Sequence, residues 1–324
     1  MDRSQGQTPD VSIIIVNYNT FELTCACVES IIALTKEARY EIIIIDNAST
    51  QCDPDQFKQR YPGIRLVRNT TNVGFGIANN QGMAIARGTY FLLINSDCYL
   101  LNDAIDLAFR FARERPETGV FGATLLNEDG SHQTSHYRAA TVTLLSPVRS
   151  VLLMNPLLAR ILRTFPTRKN SAVGGLYGAY IWLHRSVYEK VGGFDPDFFM
   201  YCEDTEWFRN RIGRSFGIEI CEEARICHLG GRSGGLAIVN PQNVLSYYLY
   251  WYKMGKPHFW LYTIGSIFNL VFVWLALPFM KKTERRRNMA YSEIVLRLLP
   301  KLLFDIPRYS NRFGSRKAPL RLAH

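Results

Sequence analysis

Residues 11–16 read VSIIIV and residues 41–45 read EIIII, two nearly unbroken runs of β-branched side chains. A strand with one wet face alternates apolar and polar residues. A continuous apolar run demands cover on both faces. These runs therefore belong inside a sheet with helices packed against both sides. Helical patterns separate them, over residues 21–35 and, more briefly, 54–60. A shorter third strand is expected at 64–68 and a helix at 75–87, with Gly88 as its C-cap. A fourth strand follows at 89–94, then a helix at 102–113 closed by Pro116. Strand and helix alternating at this spacing predict a mostly parallel α/β sheet with crossover helices on both faces. No repeat of solenoid period is visible. With 324 residues, 47% hydrophobic and 20% charged, the chain is globular and long enough for one large domain plus an appendage.

Ligands of open α/β sheets bind beyond the carboxyl ends of the strands. The predicted strands end in polar residues: Asn17, Tyr18 and Asn19 after the first, Asp46, Asn47, Ala48 and Ser49 after the second, Asn95, Ser96 and Asp97 after the fourth. One such group is ordinary turn and cap chemistry. Three at the ends of one sheet are expected to converge on one crevice. There Asp46 is placed to accept hydrogen bonds from a sugar hydroxyl or a base. Asp97 is placed to hold a divalent cation on a diphosphate, because hard cations prefer carboxylate oxygens.

Residues 72–82, NVGFGIANNQG, imitate a dinucleotide fingerprint at Gly74 and Gly76 but put Asn79 in the third glycine position. They also follow the third strand instead of the first, and no Walker lysine loop is present. The remaining readings are a helix start, carrying Asn79 and Asn80, that serves an anion or a sugar, and tight helix packing at the glycines. In residues 192–211, Gly192 and Gly193 break the chain. Glu203, Asp204 and Glu206 then open an amphipathic helix through Trp207, Phe208 and Ile212. One acid at a helix start complements the dipole. Three within four residues beside aromatics exceed that need, and a carboxylate desolvated among like charges suits a general base. His228 ends the short strand ARIC, before a glycine-rich loop, where contact with a metal or phosphate competes with a structural role.

The seven cysteines are scattered and odd in number, as in a reduced, cytoplasmic protein. Cys25 and Cys27 lack a second pair at zinc spacing and read as ordinary helix residues. The opening MDRSQGQTPD has no apolar h-region, so no secretory signal is expected and the bulk of the chain is expected in the cytosol.

The net charge of +10 is localised. Residues 281–324 carry twelve Lys or Arg against three acids, leaving a nearly neutral body. A basic surface over the whole chain would indicate nucleic acid; this distribution does not. Before the basic tail, residues 258–280 run 23 positions without Lys, Arg, Asp or Glu, about the ~20 needed to cross a bilayer. Trp251, Tyr252, Trp260 and Tyr262 form an aromatic belt at its start, and Lys281, Lys282 and Arg285 to Arg287 follow it. Ser266, Asn269 and Pro278 count against spanning. A spanning helix, one lying in the interface and a buried core helix remain open, with membrane association the expectation. Residues 138–170, apolar with interspersed arginines, read as an interfacial loop or lid, or as an ordinary insertion.

VSIIIVNYNT, EIIIIDNAST, NVGFGIANNQG, FLLINSDCYL, the stretch from Gly178 through Arg211 and ICHLGGRS occur in the order and spacing of family 2 glycosyltransferases. The chain resembles their bacterial rhamnosyltransferase-like branch over roughly residues 10–235. The resemblance implies a GT-A fold with a central, mostly parallel mixed sheet, placed over 10–240; a disordered tail at 1–9 and an apolar, basic membrane-association region at 241–324 are expected to flank it. It implies inverting transfer of a sugar from a nucleotide diphosphate donor to a hydroxyl, with Mg2+ or Mn2+. Carried over, Tyr18, Asn19, Asp46, Asn47, Asn72, Gly74 and Asn95 hold the donor. Asp97, last residue of the Asp-x-Asp-type motif, ligates the metal with help from His228. Asp204 is the catalytic base, with Glu203 and Gly178 on the acceptor side or in support. Asn95 stands at the first Asp of the motif, leaving one carboxylate. Glu206 stands where many relatives have Asp and receives no role.

The apolar, basic C-terminal part extends this to a lipid-linked saccharide acceptor at the cytoplasmic face of the inner membrane, in cell-surface polysaccharide synthesis. A nucleotidyltransferase would need a glycine- and lysine-rich triphosphate loop, which is absent. The other alternative is a catalytically weak sugar-nucleotide-binding partner in a membrane-bound assembly.

Overall fold

The computed structural model describes residues 8–139, 143–154, 172–230, 240–276, 278, 280 and 282–310. The expected N-terminal tail up to residue 7, most of the arginine-bearing stretch before residue 172, residues 231–239 and the basic end beyond 310 lie outside them. The chain divides into two compact units: Met1–Ala139, Ser171–Pro196 and Glu203–Gly235 form the first, and Ala140–Asn170, Asp197–Cys202 and Leu236–His324 the second.

In chain order the elements are β1 (Val11–Asn17), α1 (Phe21–Leu34), β2 (Tyr40–Asp46), α2 (Gln56–Arg60), β3 (Arg65–Arg68), α3 (Phe75–Ile85), β4 (Tyr90–Asn95), β5 (Cys98–Leu100), α4 (Ala104–Glu114), β6 (Val120–Leu126), β7 (His132–Gln133) and β8 (His136–Arg138). Then come α5 (Ser146–Met154), which belongs to the second unit, β9 (Val173–Leu176), β10 (Tyr180–His184), α6 (Arg185–Val191), α7 (Glu203–Asn210) and β11 (Ile218–His228). The second unit continues with α8 (Pro241–Lys253), α9 (Lys256–Ala276) and α10 (Lys282–Ser310).

The first unit is built on a nine-stranded sheet in the order β3-β2-β1-β4-β10-β6-β11-β5, with β7 beside β6. The half from β3 to β4 is parallel, as the apolar runs require. The other half is mixed: β10 runs antiparallel between β4 and β6, β11 lies parallel to β6, and β5 antiparallel to β11. The period of two divides each run between two cores. Ile13, Ile15, Ile42 and Ile44 pack with Cys25, Cys27, Val28 and Ile31 of α1. Ile14, Ile43 and Ile45 pack with Ala78 and Met83 of α3 and Trp207 and Phe208 of α7. Each isoleucine so buried contributes roughly 1.5–3 kcal/mol.

Gly88 is not the cap of α3, which ends at Ile85 with Ala86 as its extended C-cap residue. A Cβ at Gly88 would come within 2.6 Å of the Ser12 nitrogen, so glycine is required by close backbone approach. Cys25 and Cys27 are buried helix residues, as expected.

In the second unit Asn240 caps α8, its Oδ1 accepting from Gln242 N at 2.9 Å with Pro241 at the first turn. Val151 of α5, Tyr248 and Trp251 of α8, Phe259 and Tyr262 of α9, and Tyr291 and Val295 of α10 share one core. One face of α9 is buried, including Thr263, Ser266 and Asn269. The opposite face exposes Trp260, Ile264, Ile267, Phe268, Val271, Trp274 and Leu275, with Lys256 exposed at its start. By length and composition α9 is able to cross a membrane.

Candidate active site

Strand register aligns the polar ends at one edge of the sheet. Asn17 pairs with Asp46, and Val16 pairs with Asn95. Asn17 is buried and central: its Nδ2 donates to Asp46 Oδ1 at 2.7 Å and Ser49 Oγ at 3.0 Å. Its Oδ1 accepts from the hydroxyls of Thr20 and Thr24. Asp46, 1% exposed, takes a second bond from Ser49 N at 3.0 Å through Oδ2. The carboxylate expected to meet a donor hydroxyl or base thus also fixes the turn in which Ala48 adopts φ +64°. Asn19, at φ +53°, accepts from Thr50 N and Gln51 N. Between these pinned residues the Tyr18 ring stands 42% exposed.

Asn47, buried, ties the next loop to the end of β2. Its Oδ1 accepts from Val73 N at 3.0 Å, and its Nδ2 donates to Asn72 Oδ1 at 2.7 Å and Gly74 O at 3.2 Å. Gly74, at φ +90°, turns the chain into α3. Asn79 and Asn80 do not present their amides to a ligand in this arrangement. Asn79 donates to Phe75 O, and Asn80 clamps both main-chain groups of Phe194 at 2.8 Å. That clamp holds the segment leading to α7 against α3. A Cβ on Gly76 would meet Phe194 at 2.9 Å and Glu203 at 3.8 Å.

The cation corner is made by β5 pairing with β11, which sets His228 opposite Cys98, next to Asp97. Asp97 is 2% exposed, and among the described residues both of its carboxylate oxygens lack a hydrogen-bond partner. His228 Nε2 lies 3.4 Å from Asp97 Oδ1. A buried carboxylate without donors is costly unless a cation satisfies it, so this pair fits a hard divalent ion. Cys98 reaches the same group of atoms within 4.8 Å. Its thiol donates to Ala179 O at 3.6 Å, and burial pushes it well above its ordinary pKa, so it remains protonated. Gln133 completes the corner. Its Nε2 donates to Asn127 Oδ1 at 2.9 Å and His228 O at 3.3 Å, which turns its Oε1 toward His228 Nδ1 at 2.6 Å. Nδ1 therefore donates, which in the neutral ring leaves the Nε2 lone pair for a cation.

The acid pair opens α7. Asp204 is half-buried and accepts from Thr205 N at 2.6 Å and from the Gly178 backbone. Burial raises its pKa against these hydrogen bonds. Glu203 is buried, with Oε2 unpartnered among the described residues. Desolvation first, and the charge of Asp204 second, push its pKa up to about 8. Glu206 is paired with Arg211 at 2.7 Å and serves structure.

Residues 178–179 join the two corners. Gly178 bonds Asp204, while Ala179 O accepts Asn95 N at 3.0 Å and Cys98 Sγ on either side of Asp97. A Cβ on Gly178 would meet Phe75 of α3 at 3.3 Å. Asp97 with His228, Asp204 and the ends of β1, β2 and β4 thus lie at one edge of the sheet. The sequence places Asn17 at this crevice without a role of its own and gives no signal for Gln133 or Tyr177.

Glu203 carries a pH signature. The unfolded state loses its proton near 4.5 and the folded state near 8, so the unfolded state binds fewer protons in between and stability falls as pH rises through that window. Glu203→Gln removes the loss. Its stability is expected to match the parent at the acid end and to exceed it at the alkaline end, by on the order of 5 kcal/mol. Parallel melting curves across the window check this.

Residues 12–192 match the model of glycosyl transferase family 2, and the chain belongs to that family. It is a glycosyltransferase, and it resembles the family's rhamnosyltransferases. An N-acetylglucosaminyl-diphospho-decaprenol L-rhamnosyltransferase of Mycobacterium tuberculosis is 26% identical over 222 residues, covering 63% of this chain and 71% of that protein. A poly(ribitol-phosphate) beta-glucosyltransferase of Bacillus spizizenii is 33% identical over 117 residues, covering 35% of this chain and 18% of that protein. Among solved structures, the mannosyltransferase PcManGT from Pyrobaculum calidifontis, in complex with GDP-Man and Mn2+, superposes with a TM-score of 0.53 at 16% identity, covering 93% of this chain and 88% of that one. TarS of S. aureus superposes at 0.52 and 16% identity, covering 74% of this chain, which spans 38% of that one. These likenesses carry the fold, a GT-A-like α/β fold with a mixed central sheet.

Proposed function

We propose that the chain transfers a sugar, with rhamnose the first to try, from a nucleotide diphosphate donor to a hydroxyl of a lipid-linked saccharide, with inversion, in the synthesis of a cell-surface polysaccharide. The observation that carries this reading is the unpartnered Asp97 carboxylate with His228 on one side of residues 178–179 and Asp204 on the other. Tyr18 offers a flat face to the base of the donor, and the loops fixed by Asn19, Asp46, Asn47, Asn72 and Gly74 shape its seat beside Asn95. Asp97 and His228 hold Mg2+ or Mn2+, which when bound supplies Lewis-acid stabilisation of charge on the diphosphate. Asp204 accepts the proton of the acceptor hydroxyl as that oxygen bonds to the anomeric carbon, and the bond to the diphosphate breaks with its electron pair leaving on oxygen. Attack opposite the leaving group inverts the centre. Holding both substrates in line supplies ~7 kcal/mol or more of the rate gain.

The acceptor reading rests on the decaprenol-linked substrate named for the mycobacterial relative and on the apolar face of α9. With Trp260 and Trp274 on that face and exposed Lys282, Arg285 and Arg286 beginning α10, the second unit suits seating on an anionic bilayer at the cytoplasmic face of the inner membrane. The test is incubation of the full chain with Mn2+, a panel of nucleotide sugars and an N-acetylglucosaminyl diphosphate bearing a prenyl chain, followed by NMR of the product. A new glycosidic bond of inverted configuration is expected. Retained configuration, or no transfer from any donor in the panel, overturns the proposal.

A further inference from the structure

Among the described residues of the first unit, three large apolar side chains are exposed: Tyr18, Leu101 and Tyr177. Tyr18 stands at the donor end of β1 and Leu101 follows β5. Tyr177, 43% exposed, directly precedes Gly178, the residue whose backbone bonds Asp204. Burying such a ring would be favourable, so its exposure beside the base asks for a ligand.

The ring is held in place. β8 and β9 pair as a two-stranded ribbon with Tyr137 opposite Gly175, and Tyr177 N donates to Ser135 O at 3.0 Å just past its end. Tyr137 meets Tyr177 edge-on, with centroids 5.9 Å apart at 61°. Arg209 of α7 covers Tyr137 at 5.3 Å. A Cβ on Gly175 would collide with the Tyr137 phenol, so glycine there lets Tyr137 lie under its neighbour. Partial burial first, and the charge of Asp204 second, raise the pKa of the Tyr177 phenol and keep it neutral.

We infer that Tyr177, braced by Tyr137, is the platform on which the acceptor's pyranose ring stacks, presenting its hydroxyl to Asp204. The C–H face of a pyranose is apolar, and an aromatic face receives it while the ring hydroxyls stay in water. A lipid chain would call for an aliphatic groove instead. A nucleobase belongs at Tyr18, on the donor side. This inference rests on the transferase reading and adds the seat of the acceptor.

The test uses the full chain and the methyl pyranosides of glucose, N-acetylglucosamine, galactose, mannose and rhamnose, read by saturation-transfer NMR. At least one pyranoside is expected to receive transfer from the parent chain. The same signal is expected to persist in Tyr177→Phe and to fall about tenfold in Tyr177→Ala and Tyr177→Ile, because isoleucine restores apolar bulk without a flat face. Melting curves confirm that the variants fold, and stabilisation by UDP, GDP or dTDP with Mn2+ is expected to be the same in all of them. An undiminished signal in Tyr177→Ala, or no pyranoside binding to the parent, overturns the platform. Failure of all three nucleotides to stabilise the parent would instead strike the donor reading.

Discussion

Asp204→Asn is expected to lower sugar transfer by ~10²–10⁴-fold while nucleotide diphosphate binding stays within about twofold of the parent. The two side chains have the same shape. Asparagine still accepts the bond from Thr205 through its carbonyl oxygen. It cannot take up a proton as the acceptor oxygen attacks, and that is the capacity the substitution removes. Folding is not the cause of the loss, because burial disfavours the ionised Asp204 and a neutral replacement relieves that cost. The neighbouring acid supplies the control. Glu203 has its pKa pushed up to about 8 and lies buried, so Glu203→Gln is expected to retain transfer. Steady-state assays with isothermal titration of the nucleotide separate chemistry from binding. Full transfer by Asp204→Asn, or loss in Glu203→Gln alone, would reverse the assignment.

The second large effect is at Asp97. Asp97→Asn is expected to weaken Mn2+ binding by at least tenfold, measured by the fall of the free-ion resonance in electron paramagnetic titration. The same variant is expected to melt at or above the temperature of the metal-free parent. Both Asp97 oxygens are buried without a donor among the described residues, and such a charge costs free energy in the ion-free chain. Asparagine removes the charge and gains an N–H toward His228 Nε2, which lies 3.4 Å from the carboxylate. Affinity for the ion and stability without it therefore move in opposite directions, the mark of a group kept for binding. A variant that loses stability and keeps Mn2+ would show that Asp97 is structural.

The parallel half of the sheet was legible in the sequence because β1, β2 and β4 are buried on both faces and say so in unbroken apolar runs. The mixed half was not. β10 pairs with β4 across more than eighty positions of chain, and β6 carries Gly122 within its run. Pairing partners so distant leave no local period. The short ARIC strand proved to be the end of an eleven-residue β11 that changes register between Cys221 and Arg225. The helix at 75–87 ended two residues early because the chain must pass against Ser12 at Gly88, a tertiary contact.

The site divided along the same line. Asp97, Asp204 and His228 carry recognisable neighbours in sequence, and the structure brings them to one edge of the sheet. Asp46 and Asn47 lie at that edge too, yet much of their hydrogen bonding goes to Asn17, Ser49 and the loop at residues 69–74. A strand-end residue's cross-strand neighbour cannot be read from its own segment. Gln133 and Tyr177 lie in the stretch between β6 and β10, where no sequence pattern announced an element. They acquire meaning only from His228 and Asp204, brought beside them by folding.

The proposed reaction needs one cleft that gathers a cation held by Asp97 and His228 with a base at Asp204. Crystals of the full chain soaked with Mn2+ and a nucleoside diphosphate, measured at the manganese absorption edge, test it directly. One anomalous peak is expected against the Asp97 carboxylate and His228 Nε2, with the diphosphate on it and Asp204 opening onto the same cleft. A peak bound elsewhere, or Asp204 facing away from the diphosphate, would show that these residues do not form one site.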